Sequence, residues 1–293
     1  MSRMKNSDTD VEGRYSRCVR TGAFPAGALP SKVGLLLRLA RRRSIAFDWS
    51  FVDDVFCICL QDRDDRFRTS ADEFHRVGLC SRVVYLRPQK ATASMCGGCN
   101  SPGTFGNWES HKYCCMLSLR NRSVRCLVFE DDVEFLPRMT PAVLRRVAGH
   151  LKSLRSWDVY YLGHLPLAAL PVSANLTRTV SLMTHSYIVN RPFMRRVVRT
   201  DYVRDRLHST APLEAWFMRY ARNYAHYPGL TIQSLSKSDV GGDRPGIRFF
   251  YRHHDALDFA ASRLVPGLLL VLVLVFTFAF AAKMCKRAGA QYR

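Results

Sequence analysis

Three consecutive carboxylates, Glu130, Asp131 and Asp132, close an apolar run in the stretch "CLVFEDDVEFLP" at 126–137. Adjacent carboxylates repel one another and raise each other's pKa unless a cation lies among them. Hard divalent cations such as Mg²⁺ and Mn²⁺ bind through carboxylate oxygen. In an open α/β sheet, ligands sit beyond the carboxyl ends of the strands, and the chain here leaves an apolar strand straight into oxygen donors. A cation held by one or two of these carboxylates would complete its shell with phosphate oxygens. It would then neutralise a departing diphosphate, which is Lewis-acid and template chemistry. On the triplet alone, a solvated acidic turn after a strand explains the residues equally well.

The elements that must position the triplet follow from hydrophobic period. "VFCICL" at 55–60 suits a buried strand, and the next segment reads as a turn and a helix with Phe67, Phe74 and Val77 on one side. "RVVYL" at 82–86 is a second strand, so the order predicts a parallel β-α-β unit. A Gly/Pro-rich loop at 97–106 precedes a helix over 107–120, with Trp108, His111, Cys115 and Leu119 on one face. Thr140 is an N-cap with Pro141 at the first helical position, and that helix buries Val143, Leu144, Val147, Leu151 and Leu154. Strands are expected at "WDVYYLG" (157–163) and "SYIV" (186–189), the latter before a helix near 192–199.

The chain has 293 residues and a formal charge of +20, supplied by 36 Arg and 8 Lys against 24 acids. Such a charge suits nucleic acid, anionic lipid or a phosphorylated substrate. No basic stretch is interleaved with aromatics as single-strand binders require, so nucleic acid is not the expected partner, and an arginine bias spread over solvated faces accounts for most of the excess. Residues 1–50 read as a basic, weakly structured arm. Residues 264–282, "LVPGLLLVLVLVFTFAFAA", hold no charge and are long enough for one transmembrane helix. A juxtamembrane linker is expected at 241–263 and a basic tail at 283–293. Arginine and lysine flank both ends of the span, which leaves the orientation open. "CGGC" at 96–99 is a single CxxC in a loop context, which argues against a zinc ribbon. Asn121 and Asn175 begin sequons.

The order of motifs across 53–240 resembles glycosyltransferase family 25, the group of lipooligosaccharide and procollagen galactosyltransferases. "VFCICLQDRDDRF" is similar to the family's opening strand and its Asp-Arg, here Asp65 and Arg66. "GNWESHKYC" resembles its Gly-x-x-x-Ser-His element at Gly106, Ser110 and His111, and "LVFEDDVEF" its Leu-Glu-Asp-Asp-Val signature. "WDVYYLG", "MTHSYIV" and "PGLTIQSLSKSDV" match later segments, the last at Pro228, Gln233, Ser238 and Asp239. Two departures are Cys59, where the family carries Asn, and Asn107, where it carries Cys.

The resemblance implies an α/β chain: a GT-A-like nucleotide-sugar-binding domain at 51–240 with a mostly parallel sheet, followed by the transmembrane helix. It implies a hexosyltransferase that uses a UDP-sugar donor and Mn²⁺ or Mg²⁺, in the ER or Golgi membranes, with a glycan or hydroxylysine-type acceptor. Glu130 and Asp132 would contact metal and diphosphate, and Asp131 the donor sugar or ribose. Arg66 has two readings, a contact with the donor or a brace of the β-α turn. His111 has two as well, facing the ligand or satisfied in the core, while His185 and Tyr187 read as core. An inverting transfer needs a general base, for which Glu214 and Asp239 are the candidates. Glu214 stands where the family usually carries Asp. The contrasting expectation is a catalytically silent relative that acts as a basic, membrane-tethered binding protein.

Overall fold

A computed structural model describes residues 19–21, 36–39, 47–96, 101–202, 205, 207, 212–234 and 253–268. Its centre is the expected β-α-β unit. Strand β3 (Asp54–Ile58) leads into α1 (Asp64–Arg76) and returns as β4 (Val83–Leu86), which pairs parallel to β3. Phe67, Phe74 and Val77 are buried against the sheet, as their spacing predicts. Helix α2 (Pro102–Arg120) starts within the stretch expected to be loop, because Pro102 at its first turn has no N–H to satisfy. Strand β5 (Arg125–Glu130) then runs parallel to β3 on the side away from β4.

Short β6 (Val133–Phe135) and α3 (Pro141–Ser153) follow the triplet. The Thr140 hydroxyl accepts from the Val143 N–H at 3.3 Å, the cap read from the sequence. Strand β7 (Val159–Tyr161), the hairpin β8 (Leu165–Ser173) and β9 (Leu176–Leu182), and β10 (Ser186–Asn190) come next. Helices α4 (Arg191–Arg199) and α5 (Pro212–Tyr220) lead to β11 (Asn223–His226) and β12 (Thr231–Gln233). With β1 (Val19–Thr21) and β2 (Leu36–Leu39), the large sheet has the order β1-β2-β4-β3-β5-β10-β7-β11-β9-β8, and β12 pairs with β6 apart from it.

The sheet is mixed, where a mostly parallel one was expected. Only β3–β4, β3–β5 and β7–β11 pair parallel. Part of the reason lies in the connections: two residues join β8 to β9, too short for the crossover that a parallel return needs. Part of the basic arm also departs from expectation, since β1 and β2 extend the sheet beyond β4. The expected linker contains α6 (His254–Phe259), which continues as a π-turn over Ala260–Leu264 and packs against β8. The span at 264–282 lies outside the described residues from 269 onward. Among the described residues, no helix is long and apolar enough to cross a membrane.

Two apolar layers cover the sheet. One gathers α1 and α3 around Phe74, Phe129 and Leu144. The other gathers α2, α4 and α5 around Trp108, Tyr187 and Phe217. Cys57, Cys59, Cys80, Cys114, Cys115 and Cys126 are free thiols, five of them buried, whereas Cys96 is disulfide-bonded.

Candidate active site

Strand β5 delivers the triplet to the carboxyl end of the sheet. Register places Ile58 opposite Glu130, and Leu86 opposite Ile58, so three parallel strands end at one level. The Glu130 N–H donates to the His185 carbonyl at 3.0 Å, which fixes the last residue of β5 against the approach to β10. Beyond it the chain turns, and β6 pairs antiparallel with β12 so that Gln233 faces Val133. The Ser234 N–H donates to the Asp132 carbonyl. These contacts carry the Gln233 amide to the acids: its nitrogen lies 3.4 Å from Glu130 Oε2 and 3.3 Å from Asp132 Oδ1.

Gly163 makes this approach possible. A Cβ there would lie 2.2 Å from both the carbonyl and the hydroxyl oxygen of Thr231, and 2.6 Å from His185 Nε2. Any side chain would drive β12 off the end of the sheet. The Leu230 N–H donates to the Leu162 carbonyl and pins the same crossing.

Arg66, in the first turn of α1, is buried and donates from Nη1 to Asp131 Oδ1 at 2.8 Å and to Asp132 Oδ2 at 3.4 Å. Its guanidinium faces the acids of the triplet. The turn between β3 and α1 is braced by Arg87, which donates to the carbonyls of Leu60 and Gln61 and to Asp64. Asp65 turns outward to Arg63, with contacts of 2.9 and 2.8 Å.

His111 packs in the core beside the triplet. It is fully buried, its Nδ1 lies 2.8 Å from the Tyr187 hydroxyl, and its Nε2 is 3.4 Å from Glu130 Oε1. The latter contact is an ion-pair distance rather than an aligned hydrogen bond. Thr184 donates to Glu130 Oε1 at 3.0 Å. Glu214 of α5 lies near enough for the Glu130 charge to act on it. Met183, immediately before Thr184, takes a left-handed backbone (φ 71°), a conformation that non-glycine residues seldom adopt. His185 and Tyr187 are buried, as expected of core residues. Asp239 lies outside the described residues.

The electrostatics follow from crowding. Burial, reinforced by the charges of Glu130 and Asp131, pushes Asp132 up to about 8 against the pull of Arg66 and Gln233. Burial likewise holds Asp131 above the ordinary carboxylate range despite the Arg66 charge and hydrogen bond. For Glu130 burial also pushes upward, but His111, His185 and Thr184 outweigh it and leave the carboxyl below its usual value. Glu214 is pushed up to about 7 by burial, with the Glu130 charge adding to it. In the sequence Gln233 and Thr184 stand out only as members of motif matches. Both are neutral, and only their hydrogen bonds mark them.

No family model matches the chain, and no curated protein matches it. Among solved structures, a crystal structure titled A197 from STIV aligns over 59% of this chain and 80% of its own, with 12% identity and a TM-score of 0.35. At that score the likeness carries no argument about fold or function.

Among the described residues, no three His, Cys, Asp or Glu side chains surround one point that could hold a metal ion. Two carboxylate oxygens do converge, those of Glu130 and Asp132 that share the Gln233 amide. Asp131 is turned to Arg66. Two carboxylates with the balance supplied by phosphate is an arrangement Mg²⁺ commonly takes, and an amide can present oxygen in place of nitrogen. The residues fit a hard cation bound together with a phosphorylated ligand. A cavity of about 200 Å³ opens beside Leu86, at the same level of the sheet, lined by Gly106, Ser110, Tyr113 and Met116 among others.

Proposed function

We propose that the chain is a metal-dependent glycosyltransferase that moves a hexose, galactose on the family resemblance, from a UDP-sugar to a hydroxyl on a glycan or hydroxylysine-type acceptor. The observation that carries this reading is the convergence of two half-buried carboxylates, Glu130 and Asp132, at the end of β5, with the Asp132 carboxyl held up to about 8 by desolvation and like charge. Such crowding is relieved by a cation. Mn²⁺ or Mg²⁺, when bound there, would supply charge neutralisation for the departing diphosphate.

The side chains have distinct tasks in this reading. Arg66 orients Asp131 and balances part of the acidic charge. His111, fixed by Tyr187, and Thr184 hold the Glu130 carboxylate in place. Gln233 sets the spacing between Glu130 and Asp132. Glu214 changes protonation near neutral pH, which suits a group that takes the proton of an acceptor hydroxyl. The cavity beside Leu86 offers room for the base of the donor.

The test is UDP release by the purified full-length protein with Mn²⁺ and a panel of UDP-sugars. Asp132→Asn should lower turnover by roughly a hundred-fold or more while the protein stays folded. Glu214→Gln should cut kcat with little change in donor KM. Full activity in Asp132→Asn would overturn the metal assignment. No activity with any donor, together with salt-sensitive binding to anionic vesicles that survives loss of the triplet, would favour the binding-protein reading.

A further inference from the structure

Exposed hydrophobic side chains are not scattered over this molecule. Among the described residues, ten large hydrophobics are well exposed, and eight of them lie on the β8–β9 hairpin or on the helix packed against it. Leu167, Leu170 and Val172 on β8 are 56%, 61% and 53% exposed, and Val180 on β9 is 43% exposed. On the helix the exposed residues are Phe259, Leu264, Val265 and Leu268. Single exposed hydrophobics are ordinary on a soluble surface, but a concentration of them marks a contact with something apolar.

Hairpin and helix form one unit. Asp258 of α6 is fully buried, accepts the Gly229 N–H at 2.9 Å and the Ser262 hydroxyl at 3.0 Å, and lies 3.9 Å from His164 Nε2. His164 in turn bonds Ser181 of β9 at 2.7 Å. Arg263 donates to the carbonyls of Ser173 and Ala174 at the hairpin tip and stacks over the Tyr227 ring. The helix therefore cannot swing away from the hairpin without breaking buried polar contacts.

We infer that the exposed face of the β8–β9 hairpin lies on a lipid bilayer. Three observations favour lipid over a protein partner. The helix leads at Leu268 directly into 269–282, which holds no charged residue. Strand β8 is the edge of the sheet, but Pro166 and Pro171 remove ladder donors and the register shifts beside both, which defends the edge against pairing with a second copy. Arg178, paired across from Leu170, is exposed among the apolar side chains. A basic group set in an apolar face suits an anionic lipid surface.

The hairpin tip also bears on the second sequon. The Asn175 side-chain amide donates to the Tyr227 carbonyl at 2.9 Å, and Thr177 is fully buried. The folded tip presents neither group for glycosylation, as a surface lying against lipid requires.

The inference is independent of the catalytic reading, so an inactive protein would leave it standing. The full chain carrying Leu170→Trp is reconstituted into vesicles of equal parts phosphatidylcholine and phosphatidylserine. The four native tryptophans are buried and give a constant background. Acyl-brominated lipid should quench the added emission roughly two-fold. Val180→Trp is a second reporter and should behave alike. Val124→Trp, just before β5 and five places along the sheet from β8, should be unaffected. Failure of the protein to stay with the vesicles, no quenching at either hairpin reporter, or equal quenching at all three positions would overturn the inference. So would a glycan found on Asn175 in cells.

Discussion

Arg66 shows how little separates a satisfied acid cluster from a costly one. One guanidinium faces the buried Asp131 carboxylate and the half-buried Asp132 carboxylate, and removing one partner of a buried ion pair leaves an uncompensated charge. Arg66→Met should destabilise the protein by about 3 kcal/mol in urea unfolding, and adding Asp131→Asn should recover much of that. If the single variant is as stable as the parent, the pair is not what holds the turn after β5. Much of this site is legible in the sequence, because carboxylates at a strand end are conspicuous in a basic chain. Arg66 is legible too, but its partner is not, since Asp131 lies 65 residues away and only folding brings the two together. Thr184 and Gln233 carry no charge that would single them out.

At the scale of elements, two glycines make opposite predictions. Gly163→Ala would force Thr231 away from the end of β7, and it should cost about 2 kcal/mol by urea unfolding. Gly149 lies inside α3, and a methyl group added there would meet nothing within 4 Å, so Gly149→Ala should stabilise by about 0.5–1 kcal/mol. Strand β11 contributes a pH effect. His226 is buried, its Nδ1–H donates to the Pro228 carbonyl at 2.9 Å, and its Nε2 has no hydrogen-bond partner among the described residues. Burial, with the His150 and Arg146 charges adding to it, lowers its pKa to about 4 from an ordinary 6.5. Between those values the unfolded chain binds the proton and the folded one does not, so stability is present above 6.5 and is lost as pH falls toward 4. The loss should approach roughly 3 kcal/mol, and a His226→Gln variant should show a flatter pH dependence. The β-α-β unit and the Thr140 cap are plain in the hydrophobic period. The hairpin is not: "LPLAALPVS" carries two prolines, which β8 keeps at an edge position with register shifts beside both.

For the whole molecule, Asp258 ties the last described helix to the loop that enters β12. Asp258→Ala would leave the Gly229 N–H and the Ser262 hydroxyl buried without that acceptor, and a loss of about 2–3 kcal/mol is expected in thermal or urea unfolding. Hydrogen exchange should show the same change as faster exchange at Gly229 and through α6. The sequence places the end of the domain before this helix because "GGDRPG" at 241–246 signals a break. A turn signal marks where the chain bends, and nothing in it says whether the chain then returns to the fold.

The free thiols set a condition on how the molecule is made. Cys57, Cys114, Cys115 and Cys126 are fully or almost fully buried, and desolvation pushes their pKa values upward, Cys115 to about 12. The thiolate is the reactive form, so the folded chain shields these sulfurs from oxidants. The nascent chain has no such shelter. In an oxidising compartment, collapse of β3, α2 and β5 races against thiol–disulfide exchange. A copy that loses the race is trapped with a wrong cross-link in the sheet that carries the acids.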